Sequence, residues 1–206
     1  MKKTEVNYSL LCRQLEGFME TDPYWLPVLS NAAALLYEAL PCVNWAGFYL
    51  VDDGVKCPLV PADPGSPEAD GDMENTRDEK QNSTAGLVLG PFQGKTACIR
   101  IARGKGVCGT ALEQDRVQVV PDVHAFPGHI ACDSASRSEI VLPLHVCQRE
   151  SSPLAEQNTS NAVSKGIGPV FGVLDIDSPE PDRFSEADRE GLMQFVKILE
   201  AGIELR

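Results

Sequence analysis

One segment of the chain, residues 90–144, holds three of the seven cysteines together with glycines, two histidines and several carboxylates. Within it Cys132 stands in Gly-His-Ile-Ala-Cys-Asp-Ser, a loop-like context with small polar neighbours. A structural cysteine is more often packed in an apolar strand. Cysteine is intrinsically very nucleophilic even when little of it is thiolate. The segment therefore indicates thiol chemistry, with Cys132 as the candidate nucleophile.

The other two cysteines of this segment are weaker candidates when each is taken alone. Cys98 stands in Thr-Ala-Cys-Ile-Arg and Cys108 in Gly-Val-Cys-Gly-Thr, and a small packed cysteine explains either. Cys108 in particular suits the space beside a tight glycine turn. An odd total of seven cysteines excludes complete internal pairing. In a reducing compartment such cysteines are buried, metal-binding or redox-active more often than bridged.

Zinc binding and hydrolysis are the alternatives for these thiols. Ten residues separate Cys98 from Cys108 and 24 separate Cys108 from Cys132, with no Cys-x-x-Cys pair. Structural zinc sites usually have ligand pairs close in sequence, so we expect no metal here. A hydrolase pair with His124 or His129 as base has the residue types but lacks a local nucleophile signature.

Three carboxylates stand out because of their strand-like neighbours. Asp175 and Asp177 close the run Val-Phe-Gly-Val-Leu-Asp-Ile-Asp and share a face, and Glu139 opens Glu-Ile-Val-Leu-Pro-Leu. Acids are ordinary where a strand end reaches water, but on an apolar strand face they require a cationic or hydrogen-bonding partner. Negative neighbours disfavour a thiolate. These acids therefore indicate a substrate role, either holding an ammonium group or donating a proton from a carboxyl of raised pKa.

The elements that must position these residues begin with two helical patterns and a strand. Apolar residues recur near a 3.6-residue period up to Asp22-Pro23 and again up to Pro41. An aromatic strand follows over residues 43–51, with Trp45, Gly47 and Tyr49 on one face and Ala46, Phe48 and Leu50 on the other. The Trp45–Tyr49 pair suits either core packing or the wall of a ligand pocket.

Two polar inserts, at about residues 57–85 and 148–168, separate apolar strand patterns. In the first, seven acids stand against two bases between Asp63 and Lys80. Lengthening a strand connection to roughly 30 residues costs only about 2 kcal/mol, so the fold can carry it. A final helix is predicted after Ser185, which has the pattern of an N-cap. One α+β domain over residues 1–206, with an antiparallel sheet, accounts for these elements.

Composition limits the partners. The net charge of -12 argues against nucleic acid, because phosphate binding needs clustered lysine and arginine. No window approaches 18 consecutive apolar residues, and the N-terminal residues lack an apolar signal core. We therefore expect a soluble, cytoplasmic protein. The glycine pattern around Lys105 fits neither a phosphate loop nor a dinucleotide fingerprint, and no bound cofactor is expected.

Taken together, these motifs resemble the free methionine-(R)-sulfoxide reductases, which are single GAF-domain enzymes. The resemblance covers Asn-Trp-Ala-Gly-Phe-Tyr-Leu at residues 44–50, all of residues 90–144, and residues 171–184. It implies a six-stranded antiparallel sheet with helices packed against it and a pocket capped by the cysteine-bearing loops. It also implies an activity, the reduction of free methionine-(R)-sulfoxide to methionine, and a homodimer.

The resemblance further implies roles for the three cysteines. Cys132 matches the attacking cysteine, Cys98 the main resolving cysteine and Cys108 an auxiliary third. The implied cycle forms a sulfenic acid on Cys132 and then an intramolecular disulfide, which a thioredoxin-type dithiol reduces at the expense of NADPH. Which of Cys98 and Cys108 resolves first stays open. Four further cysteines match no function of the family: Cys12, Cys42, Cys57 and Cys147.

The implied pocket joins the acids to aromatic and backbone groups. Trp45 and Tyr49 match the wall around the S-methyl group, and backbone N–H groups of three residues match donors to the substrate: Ile130, Ala131 and Cys132. A site that holds both the ammonium and the carboxylate rejects methionine sulfoxide within a polypeptide, where both groups are amides. The rival hypotheses are a non-catalytic GAF sensor of a small ligand and a thiol redox switch acting on a protein partner.

Overall fold

The arrangement of the chain is given by a computed structural model that describes residues 6–52, 85–128, 134–147 and 167–205. In chain order its elements are α1 (Tyr8–Thr21), α2 (Trp25–Ala39), β1 (Trp45–Asp52), β2 (Gly86–Gly94), β3 (Arg100–Ile101), α3 (Gly106–Gln114), β4 (Gln118–Val120), a 3₁₀ turn (Val123–Ala125), β5 (Ser138–Cys147), β6 (Ile167–Ser178) and α4 (Glu186–Gly202). The acidic insert and most of the second insert lie outside the described residues.

The six strands form one sheet in the order β3-β2-β1-β6-β5-β4, and every neighbouring pair is antiparallel. The predicted sheet, and the predicted pairing of the strands on either side of the acidic insert, are confirmed. Strand β1 is central and pairs with β2 on one side and β6 on the other. Strand β5 lies on the other side of β6, so β1, β6 and β5 are adjacent strands in the interior of the sheet.

The two faces of the sheet carry different layers. Helices α1, α2 and α4 cover one face, where the larger apolar cluster forms; its fully buried members include Leu15, Leu29, Leu36, Phe48, Leu142, Leu174, Phe195 and Leu199. Helix α3 lies on the opposite face over a second cluster that contains Trp45, Tyr49, Leu112, Val141 and Val173. The predicted alternation along β1 is confirmed, because Phe48 belongs to the first cluster and Tyr49 to the second.

The helix ends follow from local chemistry. Helix α1 ends at Thr21, before the predicted break at Asp22-Pro23. Helix α4 begins with a capping box in which the Ser185 side chain accepts from the Asp188 backbone N–H and the Asp188 side chain accepts from the Ser185 backbone N–H. Each partner satisfies a backbone donor that the first turn leaves open. The predicted closing helix is therefore confirmed at its cap.

Two features differ from the sequence analysis. Residues 106–114 form helix α3, where only a glycine turn is predicted. The second insert was predicted to extend to residue 168, but β6 already begins at Ile167. A glycine such as Gly168 is typical of a loop. In the β5–β6 pairing, however, a Cβ at this position would lie 2.3 Å from the Val146 carbonyl oxygen. The glycine therefore serves close strand approach rather than a turn.

No helix within the described ranges is long and apolar enough to span a membrane.

Candidate active site

Strand register gathers the predicted acids beside the aromatic pair. Asp177 of β6 is paired with Trp45 of β1 on one side and with Glu139 of β5 on the other. In the next row on the same face, Asp175 lies between Gly47 and Val141. Paired residues share a sheet face, so two rows bring three carboxylates and an aromatic ring to the face that α3 covers. The predicted shared face of Asp175 and Asp177 is confirmed.

The glycine in this array makes room for the aromatic rings. A Cβ on Gly47 would lie 2.3 Å from the Phe92 Cβ and 2.7 Å from Trp45 Cη2. Its absence lets Trp45 stack on Phe92, with ring centroids 5.4 Å apart, and on Tyr49, at 5.8 Å. Trp45 and Tyr49 are almost fully buried. They form one wall of the cavity described below.

The same two aromatic residues fix the loop that carries Cys98. Trp45 Nε1 donates a hydrogen bond to the Lys95 carbonyl and the Tyr49 hydroxyl donates to the Cys98 carbonyl, both at 3.1 Å. The loop between β2 and β3 is thereby tied to β1 at two points, three residues apart. Cys98 is half-buried there.

Helix α3 supplies the remaining side of the site. Cys108 lies in its first turn, and the buried thiol donates to Glu139 Oε1 at 3.8 Å. A cavity opens between this turn, the β2–β3 loop and the sheet; its lining residues are Trp45, Tyr49, Thr96, Ala97, Ile101, Lys105, Gly106, Val107, Cys108, Ser136, Glu139, Asp175 and Asp177. Every predicted site residue that the structure describes, except Cys98, lines it.

Burial sets the charge state of the acids. Glu139 and Asp175 are each 6% exposed. Burial raises the pKa of Glu139 well above its usual range, and the negative charges of Asp175 and Asp177 raise it further. Burial also raises the pKa of Asp175, to about 6, although hydrogen bonds from Cys108 and Glu139 oppose that rise. The raised pKa of Glu139 favours its protonated form, which can donate a hydrogen bond to the neighbouring Asp175.

The same surroundings make Cys108 a poor nucleophile. Burial raises the pKa of its thiol well above the usual range, and the charges of Asp175 and Glu139 act in the same direction. A thiol held in its neutral form attacks slowly, because the thiolate is the reacting species. The group formed by Cys108, Glu139 and Asp175 can therefore hold a cation and donate a proton.

Four of the predicted groups stay untested by the geometry. Ile130, Ala131, Cys132 and His129 lie outside the described residues. The roles of Ile130, Ala131 and Cys132 remain predictions from the family resemblance, and His129 as the base of a hydrolase pair remains an untested alternative.

The extra cysteines lie elsewhere in the part of the chain that is described. Cys12 is buried in the helical layer on the far side of the sheet, and Cys42 and Cys147 are exposed. None of these three lines the cavity. Cys57 falls in the acidic insert, outside the described residues.

Sequence reasoning missed three polar residues that line the cavity: Thr96, Lys105 and Ser136. Ser136 Oγ accepts a hydrogen bond from Asn44 Nδ2 at 3.0 Å. This bond connects the segment just before β5 to the residue just before β1. Lys105 is the N-cap of α3. No sequence signal marked it, because helices usually begin after Ser, Thr, Asp or Asn and the residues here are Gly-Lys-Gly.

Known proteins share both the sequence and this arrangement. The chain matches the GAF domain family over residues 26–203. It is 42% identical to the free methionine-R-sulfoxide reductase of Escherichia coli over 200 residues, which are 97% of this chain and 90% of that protein. The predicted extent of the domain, residues 1–206, stays a prediction.

Two solved structures carry the likeness into three dimensions. The fRMsr of Staphylococcus aureus in complex with substrate is 36% identical, with a TM-score of 0.67, and the match covers 99% of this chain and 100% of that one. The free methionine-R-sulfoxide reductase from Neisseria meningitidis in complex with its substrate is also 36% identical at a TM-score of 0.67, covering 96% and 89%. The chain therefore belongs to the GAF domain family and, within it, to the free methionine-R-sulfoxide reductases.

Proposed function

We propose that this chain reduces free methionine-(R)-sulfoxide to methionine by thiol chemistry. One observation carries the proposal: a single cavity joins an aromatic wall to three carboxylates, beside a loop with a half-buried cysteine. Its relatives from three bacteria bear the name of this activity or were solved with substrate. A sensor pocket has no need of cysteines beside its acids.

Each part of the substrate has a complementary group on the cavity. The ammonium group suits Asp177 and Asp175, which carry the negative charge. The S-methyl group suits the face of Trp45, where a sulfur–aromatic contact is worth ~0.3 to 1.5 kcal/mol. The carboxylate suits Lys105 at the start of α3, together with the backbone N–H groups proposed from the family resemblance at residues 130–132.

The reaction balances as a two-electron transfer from cysteine to sulfoxide. The Cys132 thiolate attacks the sulfoxide, and protonation of the oxygen by Glu139 assists cleavage of the substrate S–O bond. Methionine leaves, and the oxygen remains on Cys132 as a sulfenic acid. The raised pKa of Glu139 favours the protonated form that this step requires.

The second step recovers the enzyme. A resolving thiol attacks the Cys132 sulfenic acid, water leaves and a disulfide forms, which a thioredoxin-type dithiol then reduces by exchange. We assign this step to Cys98. It lies in a half-buried loop, whereas Cys108 is fully buried and its thiol pKa is raised. The cytoplasm, the NADPH-dependent thioredoxin system and a homodimer complete the proposal on the strength of the resemblance.

A coupled assay tests the proposal. NADPH consumption through thioredoxin reductase and thioredoxin is measured with the free R-sulfoxide, the free S-sulfoxide and the N-acetylated R-sulfoxide. We expect turnover with the free R form alone, and none with Cys132→Ser. Mass spectrometry of the oxidised enzyme should find a Cys98–Cys132 disulfide. A folded, reduced protein that turns over none of the three compounds would overturn the enzyme and favour the sensor.

A further inference from the structure

Three buried side chains at the base of the cavity point donor atoms toward a common space. They are Cys108 of α3, Glu139 of β5 and Asp175 of β6, and one ligand atom from each lies within 4.8 Å of the other two. The three residues come from different elements. A search for closely spaced ligand pairs in the sequence therefore had no means of finding them.

The spacing is close to what a tetrahedral metal requires. Bonds of about 2.3 Å to sulfur and about 2.0 Å to oxygen, at a tetrahedral angle, leave the two ligand atoms roughly 3.5 Å apart. Cys108 Sγ and Glu139 Oε1 are 3.8 Å apart. The other two ligand pairs lie within 4.8 Å, so zinc binding requires side-chain rotations that bring the three ligand atoms closer together.

One oxygen of the cluster has no hydrogen-bond partner among the described residues. Asp175 is 6% exposed and its side chain interacts with Cys108 and Glu139, but its Oδ1 atom is buried without a hydrogen bond in the described part of the chain. A buried carboxylate oxygen left unsatisfied is costly, and a cation at that point removes the cost. The charges that raise the pKa of Glu139 are those of the neighbouring acids Asp175 and Asp177, and these acids also favour a cation beside them.

We propose that Cys108, Glu139 and Asp175 form a Zn²⁺ site whose fourth position opens to the cavity. One thiolate and two carboxylates suit zinc, which accepts both sulfur and oxygen. Magnesium and calcium take oxygen ligands, and the thiol argues against them. Coordination replaces the thiol proton, so binding releases protons to the solvent.

The site has a consequence for the activity, and this part rests on the proposed function. A metal bound between Glu139 and Asp175 occupies the space assigned to the substrate ammonium. Zn²⁺ is therefore a reversible inhibitor that competes with free methionine sulfoxide.

Binding is measured on the full chain, reduced and then handled without air or added thiol. Zn²⁺ affinity is obtained by competition with a chromophoric chelator, and zinc X-ray absorption identifies the ligands. We expect one sulfur at about 2.3 Å with oxygen or nitrogen at the remaining positions. Cys108→Ser and Asp175→Asn should each weaken binding by roughly tenfold or more.

Two matched variants serve as controls. Cys12→Ser removes a buried cysteine from the other face of the sheet, and Cys98→Ser removes the loop thiol; both should bind Zn²⁺ as the wild type does. Two or more sulfur ligands, or equal affinity in wild type and Cys108→Ser, would overturn the site. If Cys108→Ser fails to fold, X-ray absorption of the zinc-loaded wild type and the affinity of Asp175→Asn decide the question, and the absence of a sulfur ligand or an unchanged affinity in Asp175→Asn rejects the site.

The two proposals fail separately. Zinc binding is measured without substrate. If X-ray absorption confirms the site in a protein that turns over no sulfoxide, the zinc site stands and the proposed function is rejected. Turnover that Zn²⁺ does not inhibit, in a protein that binds no zinc, does the reverse. Inhibition by Zn²⁺ that raises KM and leaves kcat unchanged supports both proposals.

Discussion

At the scale of single residues, the buried acids of the site reduce the stability of the fold when they ionise. Glu139 and Asp175 lie side by side in a place that water hardly reaches, and both have raised pKa values because burial disfavours their charged forms. A folded-state pKa above the unfolded value gives stability that is complete below the unfolded pKa. That stability is lost as the pH rises through the folded pKa.

The change Asp175→Asn tests this cost directly. We expect the wild type to lose on the order of 1–3 kcal/mol of unfolding free energy between about pH 4 and pH 7, since the pKa of Asp175 is raised to about 6. The asparagine variant keeps an oxygen that can accept from Glu139 but does not ionise, so its loss should be smaller. Urea unfolding at several pH values measures the difference. Parallel pH profiles for the two proteins would show that the carboxylate is not strained.

At the scale of elements, the loop between β2 and β3 is held by the residues that also line the cavity. Tyr49 donates to the carbonyl of Cys98, and Trp45 donates to the carbonyl of Lys95. A single strand thus provides the aromatic wall and fixes the path of the proposed resolving cysteine. Substrate contact and the position of the second thiol are coupled through β1.

Tyr49→Phe separates the two roles. It keeps the ring and removes one hydrogen bond, worth about 1 kcal/mol, so disulfide formation should slow by roughly fivefold while release of methionine is unchanged. Single-turnover quenching follows methionine, and trapping by dimedone follows the sulfenic acid. Tyr37→Phe, at an exposed position on α2, is the control. Slower methionine release with unchanged disulfide formation would contradict the positioning role.

The elements also show which parts of the fold could be predicted from sequence. Helices α1, α2 and α4 have a regular apolar stripe and clear ends, because Asp22-Pro23, Pro41 and Ser185 mark them. Helix α3 has none of this: it begins Gly-Val-Cys-Gly-Thr, and glycine disfavours helix. Its packing on the second cluster outweighs propensity, and a Cβ at Gly109 would lie 2.3 Å from the Ala102 carbonyl oxygen. Because α3 was not predicted, Lys105 at its start was not predicted to line the cavity either.

At the scale of the whole molecule, the sheet separates the work of its two faces. The period-two alternation of β1 and β6 was readable from sequence, so the shared face of Trp45 and Tyr49 and that of Asp175 and Asp177 were predicted. That these two faces coincide follows from the pairing of β1 with β6. The burial of the acids could not, since it depends on α3 and on strand order. The helical face carries the larger apolar core, and the other face carries the cavity. Substitutions on the helical face should therefore act on stability alone.

Arg183 offers a sharp test of that separation. Its side chain is 2% exposed, pairs with Asp188 at 3.0 Å and donates to the Pro41 carbonyl, which ties the start of α4 to the turn before β1. Arg183→Met leaves Asp188 buried without its cation, so we expect a loss of about 3–5 kcal/mol in urea unfolding.

The matched control lies six residues further along the same chain. Arg189→Met breaks an exposed pair with Glu186 and should cost less than about 1 kcal/mol. In the folded fraction of both variants, KM for the sulfoxide should equal that of the wild type, because neither arginine lines the cavity. Equal destabilisation by the two changes would refute the buried clamp. A raised KM in Arg183→Met alone would mean that the helical layer shapes the cavity through the sheet, and that stability and substrate binding are not separable in this fold.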